Sequence, residues 1–167
     1  MAGLDCTLVE TGASGDAGRA AAAAAVGGCD AVVAAGGDGT VSEVVNGLLA
    51  AAGEGPTLPL GILPLGTGND FAEMAGIPRD LERAAAVVAA GCTRLVDAGR
   101  VTYTQSGGSA VTRYFANNCA VAMEPLVTIE NTRVRWVSGN ARYVVALLRA
   151  LRKLKAWRMR ISWDDGG

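Results

Sequence analysis

Gly36-Gly37-Asp38-Gly39-Thr40 lies between an apolar run, residues 31–35, and a segment with helical spacing, residues 41–51. Glycine lacks a Cβ and tolerates positive φ, so this loop can turn sharply and let its backbone approach a ligand closely. A helix that starts there directs free N–H groups and the positive end of its dipole at the loop, which favours a phosphate. Asp38 adds a carboxylate that a nucleotide's metal ion or an attacking hydroxyl could use. The stretch therefore predicts a strand, a phosphate-binding turn and a helix, in that order.

The same loop also has a purely structural interpretation. Thr40 could be an N-cap, with Glu43 three residues later completing a capping box. The two interpretations are compatible, and the loop alone does not decide between them, because glycine-rich loops are common.

A second loop has the same construction. Residues 60–65 have the short apolar pattern of a buried strand, and Gly66-Thr67-Gly68-Asn69-Asp70 follows, with a helical turn predicted over 71–75. Thr67 and Asn69 supply neutral hydrogen-bonding groups and Asp70 a second carboxylate, although Asn69 or Asp70 could simply cap a helix. Because parallel sheets gather the loops after neighbouring strands at one edge, we expect the two glycine loops to meet at a ligand site.

The rest of the chain alternates between β and α patterns, which predicts an α/β fold with a parallel sheet flanked by helices. In the first part, strands are predicted over 4–9 and 93–96. Helices are predicted over 18–26, which contains a run of six alanines, and over 78–90, which has a proline near its start. From about Asp97 the pattern changes. Strands are predicted over 101–104 and 111–121, joined as a hairpin through 105–108, then an amphipathic helix over 138–154, a strand over 157–163 and a turn over 164–167. The change of pattern predicts a boundary after residue 97, with an α/β lobe over residues 1–97 and a second, β-rich lobe that begins over 98–167.

Composition narrows the class of protein. With 167 residues, half of them hydrophobic, the chain can bury a sizeable core, and its net charge of −1 favours neither a nucleic acid nor a membrane as partner. The absence of histidine excludes Ser-His and Cys-His nucleophilic machinery and histidine-ligated zinc. The four cysteines form no CxxC pair and are interpreted as free, buried thiols in a reducing compartment. No signal-peptide pattern opens the sequence and no run reaches the roughly 18 apolar residues of a membrane span, so we expect a cytoplasmic protein.

Several stretches together resemble the diacylglycerol kinase catalytic domain, a family that includes bacterial lipid kinases and the sphingosine and ceramide kinases and is more distantly similar to NAD kinases. The two strongest are residues 36–48, which contain Gly36-Gly37-Asp38-Gly39-Thr40, and residues 63–72, which contain Gly68-Asn69-Asp70. Weaker similarity extends through residues 97–101, 114–118 and 138–143. The first stretch would also suit an NAD kinase, whereas the second is similar to the lipid-kinase branch.

The resemblance implies an NAD kinase/diacylglycerol kinase-like fold and ATP-dependent transfer of a phosphoryl group to a lipid hydroxyl, with Mg²⁺, in phospholipid biosynthesis. It implies catalytic roles for Asp38 and Asp70, a place for Asp97 in an acidic network, and a general-base glutamate in a part of the second lobe that this sequence does not include. No metal ligand is assigned. The residues that would contact the nucleotide or organise its magnesium are Thr11, Gly36, Gly37, Asp38, Gly39, Thr40, Glu43, Gly66, Thr67, Gly68 and Asn69.

The resemblance also has gaps. Nothing before Leu4 is similar to the opening strand and Asn-Pro-containing glycine loop of the family, and the sequence stops at a turn. We therefore expect the first strand and most of the second lobe to be missing, and residues 1–167 alone to phosphorylate no lipid. Where many relatives read Gly-Phe-Asp-Ala, this chain reads Ala122-Met123-Glu124-Pro125, and Glu124 is a candidate substitute for that aspartate.

Expected partners are a nucleotide, a lipid substrate and the inner face of the membrane, with no nucleic acid and with a homodimer left open. Basic residues concentrate over 133–160, and only Glu130, just before this range, opposes them. These basic residues would either rest on anionic headgroups or form a solvated helix face.

Two other functions compete with the lipid kinase: an NAD kinase, and a nucleotide-binding module without catalysis. The lipid itself, whether diacylglycerol, a sphingoid base or a polyprenol, is not identified by the sequence.

Overall fold

The computed structural model describes residues 4–105, 107–120, 123–134, 136–137 and 139–155. Two short apolar strands, β1 (Val32–Gly36) and β2 (Leu60–Pro64), pair in parallel, with Val32 opposite Leu60 and Gly36 opposite Pro64. Ala34 and Ile62 in their centres are buried. Because the strands run in the same direction and end opposite each other, the loops that follow them emerge side by side.

Two helices cover this strand pair, and they approach each other closely. Helix α1 (Asp16–Val26) packs against α2 (Asp38–Ala52), and the alanines of α1 and the valines and leucines of α2 form most of the core. The crossing depends on two glycines: a Cβ on Gly47 would overlap the carbonyl oxygen of Gly18, and one on Gly18 would lie 2.9 Å from the carbonyl oxygen of Glu43. Small residues let the helix backbones touch, which holds the start of α2 at a defined place.

The remaining elements of the first compact unit follow in chain order. They are helix α3 (Asp70–Met74), helix α4 (Leu81–Ala90), and the antiparallel hairpin of β3 (Gly99–Thr104) and β4 (Ala110–Phe115). Asp80 caps α4 by accepting a hydrogen bond from the Arg83 N–H at 2.9 Å. This unit extends through Asn118.

A second compact unit begins at Cys119. Its helices α5 (Met123–Arg133) and α6 (Gly139–Lys153) pack through Val127, Ala146 and Ala150. Between them the carboxylate of Glu130, 1% exposed, pairs with Lys153 at 2.7 Å, Arg133 at 2.9 Å and Arg149 at 3.5 Å. The hydrogen bond from Lys153 is the first reason that the pKa of Glu130 lies below its ordinary value. The lobe boundary after residue 97 stays a prediction.

Most predicted elements are confirmed: the strand pair, the helices after both glycine loops, the alanine helix, the hairpin and the helix from residue 139. Strands predicted over 4–9 and 93–96 are wrong, because neither segment pairs with a neighbour and Leu95 is fully exposed. Pro78 precedes its helix, which starts only at Leu81. The strand predicted over 111–121 ends at Phe115, and α5, whose apolar residues do not gather on one face, was not predicted. The strand over 157–163 and the turn over 164–167 lie outside the described residues.

Two expectations from composition have different outcomes. All four cysteines are free, as expected, but they are exposed rather than buried. Within the part of the chain that the structure describes, none of the helices is both long enough and apolar enough to cross a bilayer.

Candidate functional site

The two glycine loops touch through their backbones. The Leu65 N–H donates to the carbonyl oxygen of Gly36 at 3.1 Å, which carries the strand pairing into the loops. Beyond it, a Cβ on Gly37 would lie 3.0 Å from the Cα of Gly66, and a Cβ on Gly66 would overlap the Cα of Gly37. Side chains at either position would push the loops apart. The expected meeting of the two loops at one edge is therefore confirmed.

Close approach, and not an unusual backbone conformation, explains Gly36, Gly37, Gly66 and Gly68, whereas a Cβ on Gly39 would meet nothing within 4 Å. The expectation that they use positive φ is wrong, since none of the loop glycines is among the positive-φ glycines of the described chain. Gly36 instead leaves room for the side chain of Thr40, which a Cβ there would overlap. The positive φ of this region belongs to Asn69, at 60°.

Asn69 holds the second loop closed. Its side chain is 6% exposed, its Oδ1 accepts a hydrogen bond from the Gly66 N–H at 2.9 Å, and its Nδ2 donates to the Gly66 carbonyl at 2.7 Å. Asparagine is one of the few residues that tolerate this left-handed conformation. Because both ends of the amide are occupied, Asn69 would act on a ligand by setting the position of the loop.

Asp38 joins the first loop to the start of α3. Its Oδ1 accepts a hydrogen bond from the Phe71 N–H at 3.1 Å. Partial burial raises the pKa of Asp38, but the N–H groups of Phe71, Asp70 and Asn69 outweigh it, so the pKa lies below its ordinary value. The carboxylate is therefore ionised at neutral pH and is a weak proton acceptor, which suits a role in charge and metal organisation better than one as general base.

A second carboxylate stands beside Asp38, with Gly68 between them. A Cβ on Gly68 would lie 2.9 Å from Oδ2 of Asp38 and 3.4 Å from Oδ1 of Asp70. Two such carboxylates fit Mg²⁺, which proteins usually bind through one or two carboxylates together with substrate phosphates. Among the described residues there is no group of three acidic, cysteine or histidine side chains that could hold a metal by itself.

A third loop, before α1, borders the first turns of α2. An open pocket of about 310 Å³ is lined by Thr11, Gly12, Ala13, Ser14, Ala17, Thr40 and Glu43. Thr40 and Glu43 belong to the first turns of α2, so the pocket adjoins the first glycine loop. Its polar hydroxyls and its position at the starts of α1 and α2 suit an anionic ligand.

Glu43 and Asp16 hold this third loop in place. The Ser14 hydroxyl donates to Oε1 of Glu43 at 3.1 Å, and the N–H groups of Gly12 and Ala13 donate to Oδ2 of Asp16 at 2.9 and 2.7 Å. The Gly15 N–H is the largest cause of the lowered pKa of Glu43, and the Ala13 N–H is the largest cause of the lowered pKa of Asp16. Both carboxylates therefore stay charged while they shape the loop.

These contacts correct the structural interpretation of Thr40 and Glu43. The N-cap of α2 is Gly37, with no side-chain hydrogen bond, so no capping box forms. Glu43 contacts the start of α1 because it lies on the second turn of α2, facing that helix. The lining residues Gly12, Ala13 and Ser14 were missed, although Gly12 and Gly15, which flank a polar turn just before an alanine-rich helix, are a signal that could have found them.

The structure places the other predicted site residues as follows. Gly39 in the first loop and Thr67 in the second are exposed, and Thr11 lines the pocket. Asp97 is exposed and does not form, with other described residues, an acidic cluster able to hold a metal. The side chain of Glu124 lies outside the described residues.

Comparisons with known proteins agree on one family. The profile of the Diacylglycerol kinase catalytic domain matches residues 1–101. The chain is 36% identical over 163 residues to a diacylglycerol kinase of Mycobacterium tuberculosis strain H37Rv, which covers 97% of the chain and 50% of that protein. It is 36% identical over 166 residues to a diacylglycerol kinase of Bacillus subtilis strain 168, covering 98% of the chain and 51% of that protein. A crystal structure of a diacylglycerol kinase from Bacillus anthracis strain Sterne matches with a TM-score of 0.52 at 27% identity, over 74% of this chain and 40% of that one. The chain thus spans about half the length of the curated relatives it matches.

Proposed function

Because the chain belongs to the diacylglycerol kinase catalytic-domain family, we propose that it is part of an ATP-dependent lipid kinase that transfers the γ-phosphoryl group to a lipid hydroxyl such as that of diacylglycerol. The observation that carries the proposal is the contact between the two glycine loops, which leaves the carboxylates of Asp38 and Asp70 together beside Gly68. Phosphoryl transfer needs little covalent chemistry from the protein and depends on alignment and charge. A site made of backbone, a helix start and two carboxylates meets that need.

The nucleotide phosphates would lie at the start of α2. The free N–H groups of the first turn and the positive end of the helix dipole face the first loop, and Thr11 and Thr40 offer hydroxyl donors next to it. The absence of Cβ atoms at Gly37 and Gly39 lets a phosphate come near the backbone. This arrangement supports ATP as the nucleotide substrate without a Walker-type lysine.

Mg²⁺ would be held by Asp38 and Asp70 together with the phosphates. When bound, the ion neutralises charge on the phosphate oxygens. In the transfer itself, the lipid hydroxyl oxygen forms a bond to the γ-phosphorus, the bond to the β–γ bridging oxygen breaks, ADP leaves, and the hydroxyl proton passes to a base. The lowered pKa of Asp38 argues against Asp38 as that base and favours another group as the acceptor of the hydroxyl proton.

The proposal is tested by a kinase assay on the product of the complete reading frame that encodes this chain. With γ-labelled ATP and Mg²⁺, label is expected in phosphatidic acid when diacylglycerol is supplied in mixed micelles, and not in NADP when NAD is supplied. Omitting Mg²⁺ or supplying label in the α-position controls for non-specific transfer.

Each contrary outcome is informative. Label in NADP would show an NAD kinase, and ATP binding without transfer to any alcohol would show a non-catalytic nucleotide module. Label in a sphingoid base or a polyprenol, but not in diacylglycerol, would show that the protein is a lipid kinase with a different substrate.

We further propose that the second unit rests on an anionic lipid surface. One side of α6 packs on α5 through Ala146 and Ala150, whereas Val144, Leu148 and Leu151, spaced as one stripe on the opposite side, are 53%, 57% and 48% exposed. The cations around this helix outnumber the one buried carboxylate, Glu130. Arg133, Arg149 and Lys153 pair with Glu130 and Arg142 donates to the Asn131 carbonyl, and Arg152 and Lys155 lie outside these contacts. An apolar stripe flanked by cations is typical of helices that lie in a charged membrane interface.

Vesicle sedimentation tests this surface. The protein is expected to bind vesicles that contain phosphatidylglycerol and not vesicles of phosphatidylcholine alone, with binding that weakens as salt rises. Replacing Leu148 and Leu151 with serine should weaken binding about tenfold or more. Val26→Ser, which removes a still more exposed apolar side chain, on α1, is the control. Equal binding to neutral vesicles, or unchanged binding of the double variant, would contradict the proposal.

A further inference from the structure

The hairpin of β3 and β4 is a small structure with few partners. It has two strands, and along both of them most side chains are exposed or only half-buried. Tyr114 on β4 and Ala116 just after β4 pack against the main core. An isolated two-stranded hairpin is at best marginally stable in water. Something outside the hairpin therefore has to fix its position.

Asn46 on α2 supplies that attachment. Its Nδ2 donates to the carbonyl of Tyr114 at 2.8 Å, and its Oδ1 accepts from the Tyr114 N–H at 2.9 Å. The second proton on Nδ2 donates to the carbonyl of Ser42 at 2.9 Å, one turn back along α2, which holds the carboxamide in place. The side chain thus pairs with the backbone of β4 as a neighbouring strand would.

We infer that Asn46 is a positioning residue that locks the β3–β4 hairpin onto the helix that starts at the first glycine loop. This inference rests on the proposed kinase function for its catalytic consequence. Asn46 lies eight residues after Asp38, about 12 Å along the helix axis. Since α2 is rigid over that length, the contact between Asn46 and Tyr114 fixes the position of residues 116–118, which follow β4, relative to Asp38. Its loss would misalign the reacting groups and leave the nucleotide loop itself unchanged.

The chemistry of the contact explains the choice of asparagine. The pair needs one donor and one acceptor at the end of a short side chain, which leucine and alanine lack. Aspartate offers two acceptors when ionised, and one of them would face the Tyr114 carbonyl. When protonated, the same carboxyl has an O–H donor and a C=O acceptor and reproduces the pair. In Asn46→Asp, the hydrogen-bond pair with the Tyr114 backbone should therefore form as pH falls.

Steady-state kinetics of the product of the complete reading frame test the lock. Asn46→Ala is expected to lower kcat about tenfold or more with KM for ATP within about twofold of the parent. Asn46→Asp should match Asn46→Ala near pH 8, where the new carboxyl is ionised. The Tyr114 carbonyl that faces this carboxyl raises its pKa above the ordinary value of about 4, so Asn46→Asp should regain at least about threefold in kcat, relative to the parent, as pH falls to that raised pKa, whereas Asn46→Ala should regain nothing. Ser42→Ala, which keeps the backbone carbonyl that Asn46 contacts, is the matched control and should behave like the parent.

Hydrogen exchange gives a readout that does not need kinase activity. The amide of Tyr114 should exchange at least about tenfold faster in Asn46→Ala, while amides in the centre of α2 keep their protection. Unchanged exchange at Tyr114 overturns the lock. Faster exchange with kcat unchanged overturns the catalytic consequence. If the parent shows no kinase activity with any acceptor, the proposed function fails and the exchange result alone decides whether Asn46 holds the hairpin.

Discussion

Asp38→Asn is expected to lower kcat for lipid phosphorylation at least about a hundredfold while the protein stays folded. Asparagine keeps the shape of the side chain and an oxygen that can accept from the Phe71 N–H, so the link between the first loop and α3 survives. It removes the negative charge that stands with Asp70 beside Gly68. The loss is therefore one of charge and metal organisation and not of fold.

Turnover and magnesium dependence measure this effect. The apparent affinity for Mg²⁺ should weaken together with kcat, and the melting temperature should change little. Asp80→Asn is the matched control: it makes the same change at another helix start, where asparagine caps as well as aspartate does. Turnover close to that of the parent in folded Asp38→Asn would remove Asp38 from the mechanism.

The pH dependence of Asp38 has a defined sign. A carboxylate whose pKa is lower in the folded than in the unfolded state stabilises the protein above the unfolded pKa, and this stabilisation is lost as pH falls through the folded pKa. The charge on Asp38 is consequently constant through the neutral range. Any ionisation that shapes activity near neutral pH belongs to another group.

Gly68→Val is expected to weaken ATP binding, in the presence of Mg²⁺, about tenfold or more with a much smaller effect on stability. The physical reason is crowding: the first carbon of the side chain would already lie 2.9 Å from Oδ2 of Asp38, and the valine methyl groups would extend into the space between the two carboxylates. Because Gly68 is exposed, the core is untouched.

Calorimetric titration with ATP and Mg²⁺ measures the affinity, and thermal unfolding measures the stability. Gly107→Val, at an exposed glycine of the hairpin turn where a Cβ would meet nothing within 4 Å, controls for the general cost of valine in a loop. An affinity equal to that of the parent would mean that the second loop does not border the nucleotide and its metal.

The local patterns predicted the elements that carry the site. Apolar runs followed by Gly36–Thr40 and Gly66–Asp70 predicted two parallel strands with their loops at one edge, and both loops do meet there. Helix α6 was predicted because its apolar residues recur with helical spacing. Such signals act over a few residues, so they can be identified without knowing what lies across the fold.

The failures have a common cause as well. Residues 4–9 and 93–96 have apolar patterns typical of strands, but a strand exists only where a second strand accepts its hydrogen bonds, and these segments have no such neighbour among the described residues. Glu43 looked like half of a capping box and instead holds the start of α1 through Ser14. Its partner is 29 positions away, beyond the reach of a local pattern.

Local sequence therefore determined which segments turn, which become helices and which residue types stand in the loops, because these follow from backbone conformation and spacing. Tertiary structure alone decided what the glycines are for. Gly37 and Gly66 are small because two loops touch, Gly18 and Gly47 because two helices cross, and none of these contacts involves neighbours in the chain. The same holds for the pairing of Asn46 with Tyr114, 68 positions apart. Contacts of this kind depend on the packing of whole elements, which fixes distances that no single segment contains.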